Sequence, residues 1–166
     1  MMQKQEVIDA IANAEMVLVG IGEEFSSCEK KDLQEAYSAL GALLKDKNYY
    51  MITVSDDMSI HASGFPKDRI CEPLLYGEVP EDHTDWIRYT KWLQGTLNRK
   101  LLILELGVGL SRPGIIRFPF EKITMINQKA SLIRIHAHLY QLPEELADRG
   151  YSVQENAPHF LNHMHE

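Results

Sequence analysis

Two short runs of apolar residues restrict the folds open to this chain more than any other feature. Residues 16–19 (Met-Val-Leu-Val) and 101–104 (Leu-Leu-Ile-Leu) are apolar at every position, so neither shows the alternation of a half-exposed strand. Strands that are apolar on both faces are typical of parallel sheets covered by helices on each side. We therefore expect both runs to be central strands of one sheet.

Helix-like and strand-like segments alternate along the chain. Val7, Ile8, Ile11 and Ala12 recur at helical spacing, and Ser26 precedes Glu29 by the interval of a capping box. The further helices predicted lie over residues 26–45, 85–97, 118–127, 143–148 and 157–165, and the further strands over 49–54, 69–71, 131–135 and 151–153. This alternation predicts right-handed crossovers and a doubly wound α/β fold, with residues 1–166 forming a single domain.

Composition and charge exclude several classes of partner. The 166 residues carry a net charge of −7, which argues against binding to a nucleic-acid polymer or to an anionic membrane. Two cysteines, Cys28 and Cys71, with no CxxC pair predict neither a disulfide framework nor a zinc site. No signal peptide or membrane-spanning run is apparent, so we expect a cytoplasmic protein, with homo-oligomerisation left open.

The loop after the first apolar strand has the glycines of a phosphate-binding turn. Gly20 and Gly22 allow backbone N–H groups to approach a phosphate, and Ser26 can add a side-chain donor. Glu23 and Glu24 oppose this, because two carboxylates repel a pyrophosphate unless both turn toward solvent. A tight turn leading into a capped helix explains the same residues.

Two later loops have residues suited to a nucleotide. Thr53 lies at the end of the second predicted strand, and Ser55 and Asp57 follow it. These residues can bind ribose hydroxyls, position a water molecule, or form an Asx-type turn. The loop over residues 106–114 has three glycines together with Ser111, more glycines than a simple turn needs. Because ligands of such sheets bind beyond the carboxyl ends of the strands, these loops are the candidate site.

The third loop and the residues after it resemble a known family. Residues 105–109 (Glu-Leu-Gly-Val-Gly), 113–117 (Pro-Gly-Ile-Ile-Arg) and 119–120 (Pro-Phe) are similar to bacterial sirtuin homologues, most of all to the branch associated with macrodomains and protein ADP-ribosylation. The resemblance implies a sirtuin-type, Rossmann-like NAD-binding fold in which the two apolar strands are adjacent. It also implies NAD or ADP-ribose as cofactor, bound by Gly20, Gly22, Ser26, Thr53, Ser55, Asp57, Gly107, Val108, Gly109, Ser111 and His136.

The chain departs from the family where deacylation is carried out. The zinc module expected between residues 69 and 101 is missing, and Ser55 and His136 stand where sirtuins have asparagine. Tyr76 aligns with the catalytic histidine, and a tyrosine acts as a base near neutral pH only if its pKa is strongly lowered. Asp57 and Tyr76 are the remaining catalytic candidates, and we expect negligible lysine deacylase activity.

Three functions are compatible with these residues. The chain can bind NAD or ADP-ribose without deacylation, which is the interpretation that the sequence favours. It can instead be an enzyme that cleaves the nicotinamide–ribose bond or transfers ADP-ribose, with Asp57 orienting a water molecule or a ribose hydroxyl. The third interpretation is a degenerate structural or oligomerisation module without a ligand.

Overall fold

Six parallel strands form the framework of this computed structural model, which describes residues 1–75 and 83–166. In chain order they are β1 (Met16–Ile21), β2 (Asn48–Thr53), β3 (Ile70–Cys71), β4 (Leu101–Leu106), β5 (Ser131–Ile135) and β6 (Gly150–Val153). Their order across the sheet is β3-β2-β1-β4-β5-β6, and each pairing of neighbours is parallel.

The strands β1 and β4 lie side by side at the centre of the sheet, so the prediction of adjacent central strands is confirmed. Val19 lies opposite Met51 of β2 on one side and Leu104 of β4 on the other. The chain winds outward from β1 to β3 and then returns to β4 beside β1. The winding direction therefore reverses between β1 and β4, and their carboxyl ends flank the crevice where such sheets bind ligands.

Helices cover both faces of the sheet in the described residues. They are α1 (Lys4–Asn13), α2 (Lys30–Leu44), α3 (Thr84–Gln94), α4 (Arg117–Ile126) and α5 (Ala157–Asn162). Val7, Leu33 and Phe160 place α1, α2 and α5 in one apolar cluster, whereas Tyr89 and Phe120 place α3 and α4 in the cluster on the other face. The predicted doubly wound, Rossmann-like α/β fold is confirmed. Within the described ranges, no helix is both long and apolar enough to cross a membrane.

Two predictions about helices are wrong in detail. The capping box is absent, because α2 begins at Lys30 with Glu29 as its N-cap, and Ser26 instead follows a 3-10 turn over Glu23–Phe25. The helical spacing of residues 85–97 also predicts burial of Trp86, Tyr89, Trp92 and Leu93, but only Tyr89 is buried and the other three are half-buried. Residues 30–44 remain helical because their apolar face packs into the core.

Candidate functional site

The loops after β1 and β4 are held together at the carboxyl edge of the sheet. The Gly22 N–H donates to the Leu106 carbonyl oxygen at 2.9 Å, and the Glu24 N–H donates to the Gly107 carbonyl oxygen at 3.1 Å. A Cβ atom on Gly22 would lie 2.3 Å from both the Gly107 oxygen and Val108 Cα. Glycine is therefore required at position 22 for the loop after β1 to lie this close to the loop after β4.

Two further glycines of the predicted site, Gly20 and Gly107, occupy positions where the structure requires glycine. Gly107 has a φ of +64°, in the left-handed region, and its N–H donates to the Ile135 carbonyl oxygen at 2.8 Å. Gly20 lies within β1, where a Cβ atom would be 2.6 Å from the Phe120 ring and 2.7 Å from Ile116. Gly20 thus makes room for α4 to pack on the sheet, while Gly107 shapes the loop.

The Glu23 carboxylate turns into the loop after β4. One carboxylate oxygen accepts a hydrogen bond from the Gly109 N–H, and the other accepts one from Ser111 Oγ at 2.7 Å. Partial burial disfavours the charged carboxylate, but the Ser111 and Gly109 hydrogen bonds outweigh it. The pKa of Glu23 consequently lies below its ordinary value. The predicted donors Gly109 and Ser111 are therefore engaged by the chain's own anion.

The Glu24 carboxylate turns toward the opposite side of the same crevice. Its Oε1 accepts a hydrogen bond from the Ala157 N–H at 2.9 Å, and its Oε2 accepts one from the Ala137 N–H at 3.1 Å. Glu24 Oε2 also lies 3.7 Å from His136 Nδ1. Binding of a pyrophosphate by this loop would require both glutamates to turn toward solvent, but both carboxylates instead accept hydrogen bonds from backbone N–H groups of the fold.

His136 lies at the rim of the crevice as a largely buried side chain. Its Nδ1 accepts hydrogen bonds from the N–H groups of His138 and Leu139, at 3.0 and 2.8 Å. Burial lowers the pKa of His136, although the charge of Glu24 opposes this effect. A neutral ring whose Nδ1 accepts must carry its proton on Nε2, which leaves that nitrogen as a donor.

A second set of polar groups lies beside the first, at the carboxyl end of β2. We call Ser26, Ser55, Asp57 and Tyr37 the hydroxyl–carboxylate network. Ser26 Oγ and Ser55 Oγ are 3.1 Å apart, Ser55 Oγ donates to Asp57, and Tyr37 OH donates to Asp57 Oδ2 at 2.9 Å. The structure thus brings together three of the predicted site residues from two different loops. Thr53 supports them, since its Oγ1 accepts from the Ser55 N–H at 3.1 Å.

Tyr37 is a member of this network for which helical spacing with Leu33 and Leu40 predicts only a place on the apolar face of α2. Burial, together with the charge of Asp57, raises the pKa of Tyr37 far above its ordinary value, so the hydroxyl remains a donor. A tyrosine at a core position of a helix facing a polar loop was the available signal, because a buried hydroxyl needs a partner.

Arg117 is another residue of this region to which the sequence analysis gave no role. Its Nη1 donates to the Val108 carbonyl oxygen at 3.0 Å and its Nη2 to the Leu139 carbonyl oxygen at 2.9 Å. The side chain is buried and lies 3.9 Å from Glu105 Oε1. One guanidinium therefore ties the loop after β4 to the loop after β5, which are two of the three segments that contribute donors to the glutamates.

Behind Arg117 lies a buried group of opposite charges. Arg134 Nε donates to Glu105 Oε2 at 2.9 Å, and Arg134 Nη2 donates to Glu121 Oε1 at 2.8 Å. Glu105 and Arg134 face each other across β4 and β5, where they are in register. The sequence signal for this pair was the position of the two charges: Glu105 follows an apolar run, and Arg134 lies inside the next predicted strand.

The remaining candidates lie apart from the crevice or outside the described residues. Tyr76 falls in the range 76–82, which is outside the described residues, so the structure does not place this catalytic candidate. His159 and His163 are one helical turn apart in the sequence, a spacing that can ligate a metal, and their rings stack 4.1 Å apart at the end of α5. Over residues 1–75 and 83–166, no group of three or more His, Cys, Asp or Glu side chains is arranged to hold a metal ion.

Comparisons with known proteins give a relative that matches part of the chain. No family model matches the chain. A protein of Staphylococcus aureus (strain Mu50 / ATCC 700699) named "Protein ADP-ribosyltransferase" is 28% identical over 79 residues, which are 48% of this chain and 25% of that protein. The aligned stretch therefore spans a quarter of the relative. An exopolyphosphatase-related protein from Bacteroides fragilis gives a TM-score of 0.43 at 17% identity, over 90% of this chain and 38% of that one.

Proposed function

We propose that this chain binds a nucleotide containing ADP-ribose, either NAD or ADP-ribose itself, in the crevice between the loops after β1 and β4. The crevice is at the point where the winding direction of the sheet reverses, which is the usual ligand position in doubly wound folds. The partial similarity to the staphylococcal ADP-ribosyltransferase supports a ligand of this class.

The observation that carries the proposal is the set of donors around Glu23 and Glu24. Gly109 N–H, Ser111 Oγ, Ala137 N–H and Ala157 N–H all point at carboxylate oxygens within this crevice. Donors that hold two carboxylates are chemically suited to the oxygens of a diphosphate, because both anions accept charge-assisted hydrogen bonds. The loops of this fold thus make an anion-binding site, whichever anion occupies it.

The hydroxyl–carboxylate network supplies the contacts expected for a sugar. Asp57 accepts hydrogen bonds from Ser55 and Tyr37, and a carboxylate has further lone pairs for a ribose hydroxyl. Ser26 follows the 3-10 turn that carries Glu23 and Glu24, so the sugar and phosphate contacts are on neighbouring residues. A nucleoside diphosphate with a free ribose matches both sets of groups.

A second candidate function is transfer of ADP-ribose from NAD, which the name of the staphylococcal relative favours. The bond between nicotinamide and ribose C1′ would break, nicotinamide would leave with the bonding electrons, and an acceptor oxygen would bond to C1′. The proton of that acceptor would pass to a nearby base, and we assign this role to Asp57, the carboxylate of the hydroxyl–carboxylate network. Lysine deacylation is not proposed, in keeping with the missing catalytic histidine.

Calorimetric titration with NAD and with ADP-ribose tests the proposed binding. The titration is made with wild type, with Glu23→Ala/Glu24→Ala, and with that double variant carrying Ser111→Ala. We expect binding by the double variant and weaker binding after Ser111 is also removed. If neither wild type nor the double variant binds at about millimolar ligand, equivalent to roughly 4 kcal/mol of affinity, the proposal is wrong and a structural module replaces it.

A further inference from the structure

We infer that the Glu23 and Glu24 side chains form an internal anion plug that closes the proposed nucleotide site and must be displaced before a ligand enters. The inference rests on the proposed function, since a plug needs a site to close. It adds a regulatory contact between the chain and its own phosphate-binding donors.

The Glu23 half of the plug occupies two donors of the loop after β4. The carboxylate takes both the Gly109 N–H and Ser111 Oγ, one with each oxygen. Each oxygen thus holds a donor that a phosphate oxygen would otherwise use. Hydrogen bonds to a charged acceptor are stronger than neutral ones, so a ligand competes with firmly held groups.

The Glu24 half of the plug connects two other segments. Its oxygens take the N–H groups of Ala137, after β5, and Ala157, at the start of α5. The side chain is only 11% exposed, so its carboxylate is largely shielded from solvent by the surrounding chain. Together the two glutamates satisfy donors from three separate stretches of the chain.

The plug also fills the space in front of the glycine loop. The three atoms nearest a Cβ built on Gly107 all belong to Glu24, at 2.7 to 3.2 Å. Of the three nearest a Cβ built on Gly109, the closest two belong to Glu23, at 2.9 and 3.6 Å. The glycines leave space in which a phosphate could approach the backbone closely, and these two glutamate side chains occupy that space.

Electrostatics makes the plug and a phosphate mutually exclusive. A phosphate that reached the same donors would lie against two carboxylates, and like charges at contact distance repel strongly in a partly buried crevice. Both glutamates belong to the 3-10 turn Glu23–Phe25, so a rearrangement of that single turn can withdraw both carboxylates. Opening therefore requires movement of one short segment, while the sheet can stay unchanged.

The test is the dissociation constant of ADP-ribose, measured by calorimetry, for the wild type and for variants of the plug. We expect Glu23→Ala and Glu24→Ala each to tighten binding, and the double variant to bind roughly tenfold or more tighter than wild type. Glu29→Ala is the matched control, because it removes one negative charge from an exposed residue on the same stretch of chain. Its dissociation constant should equal that of the wild type.

The outcomes separate the inference from the proposed function. Equal binding by wild type and the double variant would refute the plug and leave the nucleotide site standing. Absence of binding in every variant, each shown to be folded by circular dichroism, would refute the nucleotide site and the plug with it. If the alanine pair does not fold, Glu23→Gln/Glu24→Gln keeps the side-chain volume and removes both charges, and the same tightening is expected.

Discussion

Arg134 and Glu105 form a fully buried ion pair between β5 and β4, with Arg134 Nε 2.9 Å from Glu105 Oε2 and side chains only 1% and 0% exposed. Arg134 is also bonded to Glu121 and to the Gln141 carbonyl oxygen. The guanidinium thus has several partners, as a charge in the interior requires.

We predict that Arg134→Met destabilises the protein by about 3–5 kcal/mol, because it leaves the Glu105 carboxylate buried without its hydrogen-bonded partner and with only Arg117, at 3.9 Å, beside it. Arg99→Met is the matched control, since the pair of Arg99 with Glu15 is exposed and should contribute about 0–1 kcal/mol. Urea unfolding of both variants gives the comparison. Equal and small losses would show that the interior pair does not need both members.

Replacing Arg117 should loosen the loop after β4. Arg117→Met removes donors to the carbonyl oxygens of Val108 and Leu139, and hydrogen bonds to a charged group contribute about 1.5–3 kcal/mol. We expect a loss of stability of that order and faster amide hydrogen exchange at Gly109. Arg112→Met changes an exposed arginine of the same loop and should leave the exchange rate unaltered. Unchanged exchange in both variants would contradict the positioning role of Arg117.

The Tyr37 hydroxyl should stabilise the loop after β2 through Asp57. Tyr37→Phe keeps the ring but removes a hydrogen bond to a carboxylate, so we expect a loss of about 1–3 kcal/mol in the free energy of unfolding. Tyr151→Phe removes a hydroxyl from a tyrosine that is 42% exposed and should have almost no effect. The two variants are compared by thermal unfolding. Identical midpoints for both would mean that the Tyr37–Asp57 bond contributes nothing.

Stability should depend on pH through Glu23. The folded protein lowers the pKa of this carboxyl group below its ordinary value of 4.5, so in acid the unfolded chain binds more protons than the folded one. Glu23 therefore makes its full contribution to the free energy of unfolding well above pH 4.5, and this contribution is lost as the pH falls through the pKa of Glu23 in the folded protein.

Denaturation of wild type and Glu23→Gln between neutral and acidic pH measures this effect. Their difference in unfolding free energy should be greatest at neutral pH and shrink on acidification. Glu29→Gln, at an exposed position, supplies the control and should follow the wild type throughout. A difference that stays constant with pH would show that the Glu23 carboxylate is not held in its charged form by Ser111 and Gly109.

Local patterns in the sequence were sufficient to predict most of the framework. The apolar runs became β1 and β4, which are buried at every position. Helical spacing also predicts an inner face for α2, and its four residues are all buried: Leu33, Tyr37, Leu40 and Leu44. These features depend on periodicity within a few residues, since a strand repeats every two residues and a helix every 3.6. The family resemblance added the adjacency of β1 and β4 and directed attention to the glycine loops.

The state of the site was decided only by the tertiary structure. Glu23 finds Gly109 at a separation of 86 residues, and Glu24 finds Ala157 at a separation of 133. The sequence indicated only that the two carboxylates would repel a phosphate in this loop. No local pattern reveals which distant N–H groups the fold brings near them. The donors converge only when the carboxyl ends of parallel strands meet at one edge. Their convergence turns a repulsive pair of charges into a stabilised one.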